Sequence, residues 1–594
     1  MWNDPSTTAV LVAERPPRSR SAKSPRPAGP RRSRTWQSTL FTGVLVALVV
    51  YLIIIPLGFL IFSSFKDSGT ELPFMVDGFS LANYITVFTS GRLLQVALTT
   101  LAYVVGSLLI SLVVSLVLAY LFERTDIPGR RFLEPLALAP MAIPVTVMAI
   151  AWALVANPAN GPLAIIVRQL FGVQIDIYSL GGMIVVMGLF GVPSMYLMIA
   201  PALASIGPEF EEAAATLGTP LRTRLRLIIL PLVRPAVTAS SIMLVVVILE
   251  GFAIPALLGL PKQIFVFSSL IQYYLQPPSG VANYGLASTY GVLILAITMI
   301  LTLIARRRTR DVSRFRVVTG KGYRQVRSSL GLGRYPIAVI VWLYMIVSVL
   351  LPVLALIWTS LSPSNRPLTW EGFQTLTLDN YAEIVTAQGM SEVLTNTAVV
   401  VLVTATACTA LSLWIASAAS RRSFRGSRVL MESTSLVLGV PSVVLGVAVL
   451  FVYLFLPLPI YGTVWIIIIA LVTRFLPRGS RMMEAALVQI DDGLLEAARV
   501  TGASPAAVTR KILLPLLRPA LLKTWLWMFA HALGELPIAL LLTSADNRTL
   551  VVELWNTFTS TADYPKACAL AVVILAISTA VVLILNRGGA EKRS

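Results

Sequence analysis

The sequence predicts an all-α polytopic membrane protein, with about twelve transmembrane helices in two parallel six-helix repeats. Three observations predict it. Apolar runs long enough to span a bilayer recur along the chain, basic residues gather in alternate loops, and one stretch is written twice. Of the 594 residues, 56% are apolar and 13% charged, against about 25% charged in ordinary soluble domains. Mean hydropathy is +0.81. The net charge of +19 does not point to nucleic acid. Its lysines and arginines lie in short loops between apolar runs, with no aromatic platform for stacking bases. The two cysteines, Cys408 and Cys568, sit inside apolar runs without metal-site spacing, as small fillers. His531 is the single histidine, so no His-based metal cluster is available.

Residues 1–36 form a basic cytoplasmic tail rich in Arg, Pro and Ser, of a composition that stays disordered. The run Leu40–Phe62 that follows is longer than the apolar core of a cleaved signal peptide and reads as a retained first span. Spans are expected near 38–62, 95–121, 133–156, 180–203, 237–259, 285–305, 336–360, 394–419, 430–456, 461–478, 520–543 and 565–586. With the N-terminus inside, only Lys66, Arg92, Arg168, Lys262, Arg366, Arg548 and Lys566 of the 47 basic residues fall outside. That asymmetry favours cytoplasmic N- and C-termini. The divisions that follow are a first membrane domain, 37–305, a basic cytoplasmic linker, 306–334, a second membrane domain, 335–587, and a cytoplasmic C-terminal tail, 588–594.

The repeat pairs EAAATLGTPLRTRLRLIILP at 212–231 with EAARVTGASPAAVTRKILLP at 496–515, an offset of 284, and an Arg-Pro-Ala follows each. Upstream the offset is 297: Asn83–Tyr84 with Asn380–Tyr381, Gly129 with Gly426, Pro144 with Pro441. The first half therefore carries about a dozen extra residues, expected in an external loop around Asn157–Tyr178. Asn283–Tyr284 parallels Asp563–Tyr564. Six helices per half is an even number, so the halves share one orientation and both repeated loops face the cytoplasm. Each loop reads as two short helices with a bend. Glu212 and its acidic neighbours favour a helix N-terminus, Gly218 a left-handed cap, Thr219–Pro220 a restart and Pro231 a stop. In the second copy Asp491 or Asp492 caps, Gly502 breaks and Ser504–Pro505 restarts.

This pattern resembles the EAA loop of binding-protein-dependent ABC importer permeases. It is carried by Glu212, Ala213, Ala214, Gly218, Ile228, Leu230 and Pro231, and again by Glu496, Ala497, Ala498, Gly502, Ile512, Leu514 and Pro515. The resemblance covers about 37–587. It implies the type I importer permease fold with both membrane domains fused, in a multi-pass protein of the bacterial cytoplasmic membrane. Each loop would be a coupling helix seated in a separate ATPase subunit, giving two ATPase subunits and an extracytoplasmic binding protein as partners. The sequence has no phosphate-binding G-x-x-x-x-G-K-[ST] loop. On this reading the chain is not an enzyme and binds no cofactor, and ATP and Mg belong to the partner ATPases. The fused arrangement is similar to permeases for ferric iron, with thiamine, phosphonate or another small solute as alternatives. An ion-gradient-driven carrier is the rival class, and it has no need of two ATPase-docking loops. Glu250, His531 and Glu535 are the candidate pathway residues. They are ionisable at membrane depth, His531 and Glu535 are expected on one helical face, and Gly251, Pro255, Gly534 and Pro537 beside them suggest bends.

Overall fold

A computed structural model describes residues 36–69, 71–207, 214, 216–277, 280–310, 328–366, 369–420 and 434–590. Glu212, Ala213, Gly426, the tail before Trp36 and most of the linker lie outside the described residues. Met1–Leu45 separates as one unit from Val46–Ser594, and the packing described below is that of the larger unit. Among the described residues all regular structure is helical, apart from a single bridge between Thr125 and Ser328.

The first half comprises α1 (Gly43–Ser64), α2 (Ala82–Thr89), α3 (Arg92–Arg124), α4 (Arg130–Ala142), α5 (Val145–Val155), α6 (Pro162–Phe171), α7 (Leu180–Ala204), α8 (Arg222–Glu250), α9 (Phe267–Leu275) and α10 (Tyr284–Ala305). The second comprises α11 (Gly331–Leu361), α12 (Asp379–Thr386), α13 (Met390–Ala419), α14 (Ser442–Phe455), α15 (Val464–Val488), α16 (Asp492–Val500), α17 (Thr509–Gly534), α18 (Leu536–Leu542), α19 (Leu550–Thr559) and α20 (Tyr564–Ile584). Nine of these are long and apolar enough to cross a membrane. They correspond to nine of the twelve expected spans. The other three differ. The span at 133–156 is a pair, α4 and α5, bent by 108° at Pro144, whose fixed φ and missing N–H break the helix. Of 430–456, the continuous described helix is the fourteen residues of α14. In place of 461–478 stands α15, twenty-five residues long and carrying three arginines. The extra residues of the first half are not a plain loop: they contain α6.

Packing is built from small residues. On α3, Leu94, Leu98, Leu101, Val105 and Leu109 face outward, while Ser107, Ser111 and Ser115, one turn apart, are buried. The Ser111 hydroxyl donates to the Gly188 carbonyl of α7 at 2.6 Å. Gly188 has no room for a Cβ, which would stand 2.7 Å from Ile110. Close approach across small residues is how helices associate where lipid removes the hydrophobic drive. The second half repeats this with Thr404, Cys408 and Ser412, all buried on α13. The Cys408 thiol reaches the Val472 carbonyl at 3.8 Å, the equivalent of Gly188 at offset 284. Cys408 is thus a small weak donor standing where the first half has Ser111.

The other sequence parallels acquire reasons. The Asn83 amide donates to the carbonyls of Ser64 and Lys66, closing the end of α1, and Asn380 donates to those of Ser360 and Ser362, closing α11. Tyr84 and Tyr381 bond Ser64 and Ser360 beside them. Asn283 and Asp563 cap α10 and α20 through the N–H groups of Leu286 and Lys566. The halves also interlock. α1 packs on α14, with the Tyr51 and Tyr453 hydroxyls 2.6 Å apart and Phe59 against Phe455. α11 packs on α5 in the same way.

Candidate functional site

The repeated loops share one geometry. In the first, Ala214 is helical and Gly218 adopts φ +71°, and the Thr219 N–H returns to the Ala214 carbonyl at 3.0 Å. In the second, Glu496, Ala497 and Ala498 lie in α16, Gly502 has φ +81°, and the Ala503 N–H returns to Ala498 at 3.1 Å. Both are Schellman closures around a left-handed glycine. Asp491 supplies the cap of α16, its carboxylate accepting from the Gly493 N–H at 2.8 Å. Ser504 caps the restart through the Ala507 N–H. Its counterpart is Pro220 and not Thr219: the Pro220 carbonyl accepts from Thr223 and Arg224.

Pro231 does not stop the helix as expected, and its counterpart Pro515 does not stop it either. Ile228 and Ile512 lie in π turns, Leu225–Ile229 and Thr509–Leu513, and Leu230–Pro231 and Leu514–Pro515 continue directly into the rest of α8 and α17. The widened turn accommodates the missing proline N–H and its ring. The same arrangement, a π turn ending two residues before a proline, recurs at Val50–Ile54 with Pro56 and at Ile346–Leu350 with Pro352.

A second constellation sits where the halves meet. α8 ends at Glu250, and its carboxylate Oε2 accepts from an Arg474 Nη of α15 at 2.6 Å. The second Arg474 Nη donates to the Val440 carbonyl, just before Pro441 and α14, at 2.8 Å. Both side chains are about nine-tenths buried. Arg474 lies ten residues into α15, about 15 Å along it at 1.5 Å per residue. Removing one member of such a pair leaves a bare buried charge, at a cost of about 3–5 kcal/mol. Glu535 lies beside Arg474, Arg478 and Ser442. One oxygen of each carboxylate, Glu250 Oε1 and Glu535 Oε1, is buried without a hydrogen-bond partner among the described residues. Arg478 lies over the Trp527 ring at 5.6 Å.

His531 and Glu535 do not share a helical face. α17 ends at Gly534, because Pro537 offers no N–H to the Leu533 carbonyl and its ring crowds the preceding turn. His531 is exposed and stacked on Trp527 at 3.8 Å, its Nδ1 against the Trp527 carbonyl. Glu535 helps line a recess with Thr397, Leu471, Ala532, Thr549 and Val551. Sequence reasoning missed Arg474 and Arg478, although the tenth expected span, 461–478, contains both and charged residues inside a span are themselves a signal.

Two fused membrane halves with duplicated Schellman loops are the setting in which the comparisons with known proteins fall. The family described as "Binding-protein-dependent transport system inner membrane component" matches residues 116–314 and again 409–588. The chain belongs to this family. As a permease of this kind it resembles the "Ferric transport system permease protein FbpB" of Actinobacillus pleuropneumoniae, 27% identical over 549 residues, 91% of this chain and 77% of the relative. A "Putative ferric transport system permease protein FbpB 1" of Haemophilus influenzae is 28% identical over 512 residues, 85% of this chain and 78% of the relative. The permease is also similar over 39% of its length to the "Spermidine/putrescine transport system permease protein PotC" of the same organism, 26% identical and covering 89% of that protein. It is thus an ABC transporter permease with two membrane domains in one chain.

Proposed function

We propose that this permease carries ferric iron into the cell from an extracytoplasmic binding protein, driven by two ATPase subunits, one seated on each coupling loop. The observation that carries the ATPase part is the duplicated closure at Gly218 and Gly502. Two identical stiff turns serve a two-fold engine and have no use in an ion-driven carrier. The ferric reading is supported by two relatives that match 91% and 85% of this chain, one described as a ferric transport permease and the other as a putative one. On this reading the tail, the linker and the C-terminus are cytoplasmic, and ATP and Mg are bound by the partners. Closure of the ATPase dimer moves the coupling loops together, and the halves exchange between inward- and outward-facing states because the ATPases dock differently on the two. Glu250, Glu535 and His531 line or gate the path.

The test is reconstitution in proteoliposomes with the cognate ATPase and binding protein. Ferric uptake that requires ATP and all three components is expected, and uptake of thiamine or phosphonate in its place would reassign the substrate. Glu212→Lys or Gly502→Pro is expected to leave insertion intact and to abolish uptake while ATP hydrolysis continues. Normal uptake in both variants would refute the coupling role.

A further inference from the structure

The charge cluster at the meeting of the halves breaks the repeat. At offset 284, α15 superimposes in sequence on α7, so Arg474 and Arg478 stand where the first half has Phe190 and Ser194, while Pro477 still matches Pro193. Nothing in the packing of α7 needs a charge there, so the arginines answer a demand that one half alone makes. Arg474 reaches across to Glu250 of the first half at 2.6 Å. Within its own half lies a second carboxylate, Glu535, near enough to act on it electrostatically and with a buried oxygen that no described residue satisfies. An arginine at membrane depth cannot be left without a counter-charge. Two cations, Arg474 and Arg478, meet two carboxylates there, one on each side of the moving interface, and Arg474 feels both carboxylates, so it has two partners to choose between.

We propose that Arg474 is a positioning residue that latches the halves together through Glu250, and that it passes to Glu535 when they part. The latch exists on one side of the pseudo-two-fold axis. The Val440 carbonyl holds the guanidinium at the head of α14 in the latched state, so release of Glu250 leaves Arg474 anchored to its own half. The proposal rests on the importer reading in that the halves move, but its test needs neither ATPase nor substrate, so the two can fail separately.

Spin labels at Leu217→Cys and Val500→Cys, one on each coupling loop and both highly exposed, report the separation of the halves. The native thiols, Cys408 and Cys568, are fully buried and do not compete for label. In the full chain in lipid nanodiscs, a narrow distance distribution is expected, and Glu250→Gln is expected to broaden it and move it by several ångströms. Glu535→Gln is expected to leave it as narrow as in the parent, since the latched pair is untouched. Glu250→Gln combined with Glu535→Gln is expected to broaden the distribution further than Glu250→Gln alone, because Arg474 then has no second carboxylate to pass to, a difference that loss of a merely structural Glu250 contact does not produce. If Glu250→Gln does not fold, Glu250→Asp, which keeps the charge but retracts it by one methylene, is read in the same way. An unchanged distribution on altering Glu250, or equal broadening by both glutamines, would overturn the latch.

Discussion

Asn83 and Asn380 do the same work at different depths of burial. Asn83 is 5% exposed, and replacing it by Ala leaves the Ser64 and Lys66 carbonyls without a donor, at roughly 1–3 kcal/mol for a buried unsatisfied group. Asn380 is only half-buried, so water can take over its bonds to Ser360 and Ser362. Thermal unfolding in detergent should therefore show a larger fall in Tm for Asn83→Ala than for Asn380→Ala. At Asp126 the charge itself is the device. Its carboxylate accepts from the Leu330 N–H at 2.8 Å and from the Ser329 hydroxyl, with Arg334 3.5 Å away. These partners, the Leu330 N–H first, hold it below its ordinary value of 3.8. A lowered acid stabilises the folded form above its ordinary pKa and loses that contribution as pH falls through the lowered value. Protection of the Leu330 amide from hydrogen exchange should hold at neutral pH and fade only below 3.8. Asp126→Asn should show weak protection throughout.

At the scale of elements, the π turns ahead of Pro56, Pro231, Pro352 and Pro515 are a consequence of covalent structure. A proline with no N–H and a bulky ring asks for one extra residue in the turn before it. That extra residue rotates everything N-terminal to it by about 100°, one residue's share of a 3.6-residue turn. In α8 and α17 the part so rotated is the coupling loop. Pro231→Ala or Pro515→Ala restores the N–H and favours an ordinary α turn. Each variant should gain thermal stability and lose ATP-coupled uptake, because its loop no longer meets its partner at the right angle. Unaltered uptake would show that the π turn does not aim the loop.

For the whole molecule, the halves are held by more than the linker. α1 lies on α14 and α11 on α5, Phe252 meets Trp555, and the Gly534 Cα approaches Pro144 so closely that a Cβ would stand 2.8 Å from the ring. Cutting the chain within 311–327 should therefore leave two fragments that copurify. Fragments that separate in mild detergent would show that the linker, and not the interface, joins them.

Much of this architecture was legible in the residues. Hydropathy and the placement of Lys and Arg gave the spans, and the spacing of Gly218, Gly502 and their neighbours gave the paired loops. These are local properties: a helix must satisfy its own backbone in lipid, and a left-handed turn needs glycine wherever it occurs. What only the tertiary structure decided was which residues meet across the halves. The Glu250–Arg474 pair joins positions 224 residues apart, and no periodicity encodes such a distance. The end of α17 before Glu535, and the continuation of α8 through Pro231, were also decided there. A proline's effect on a helix depends on whether the surrounding packing can take up an extra residue, and that is settled by neighbours remote in sequence.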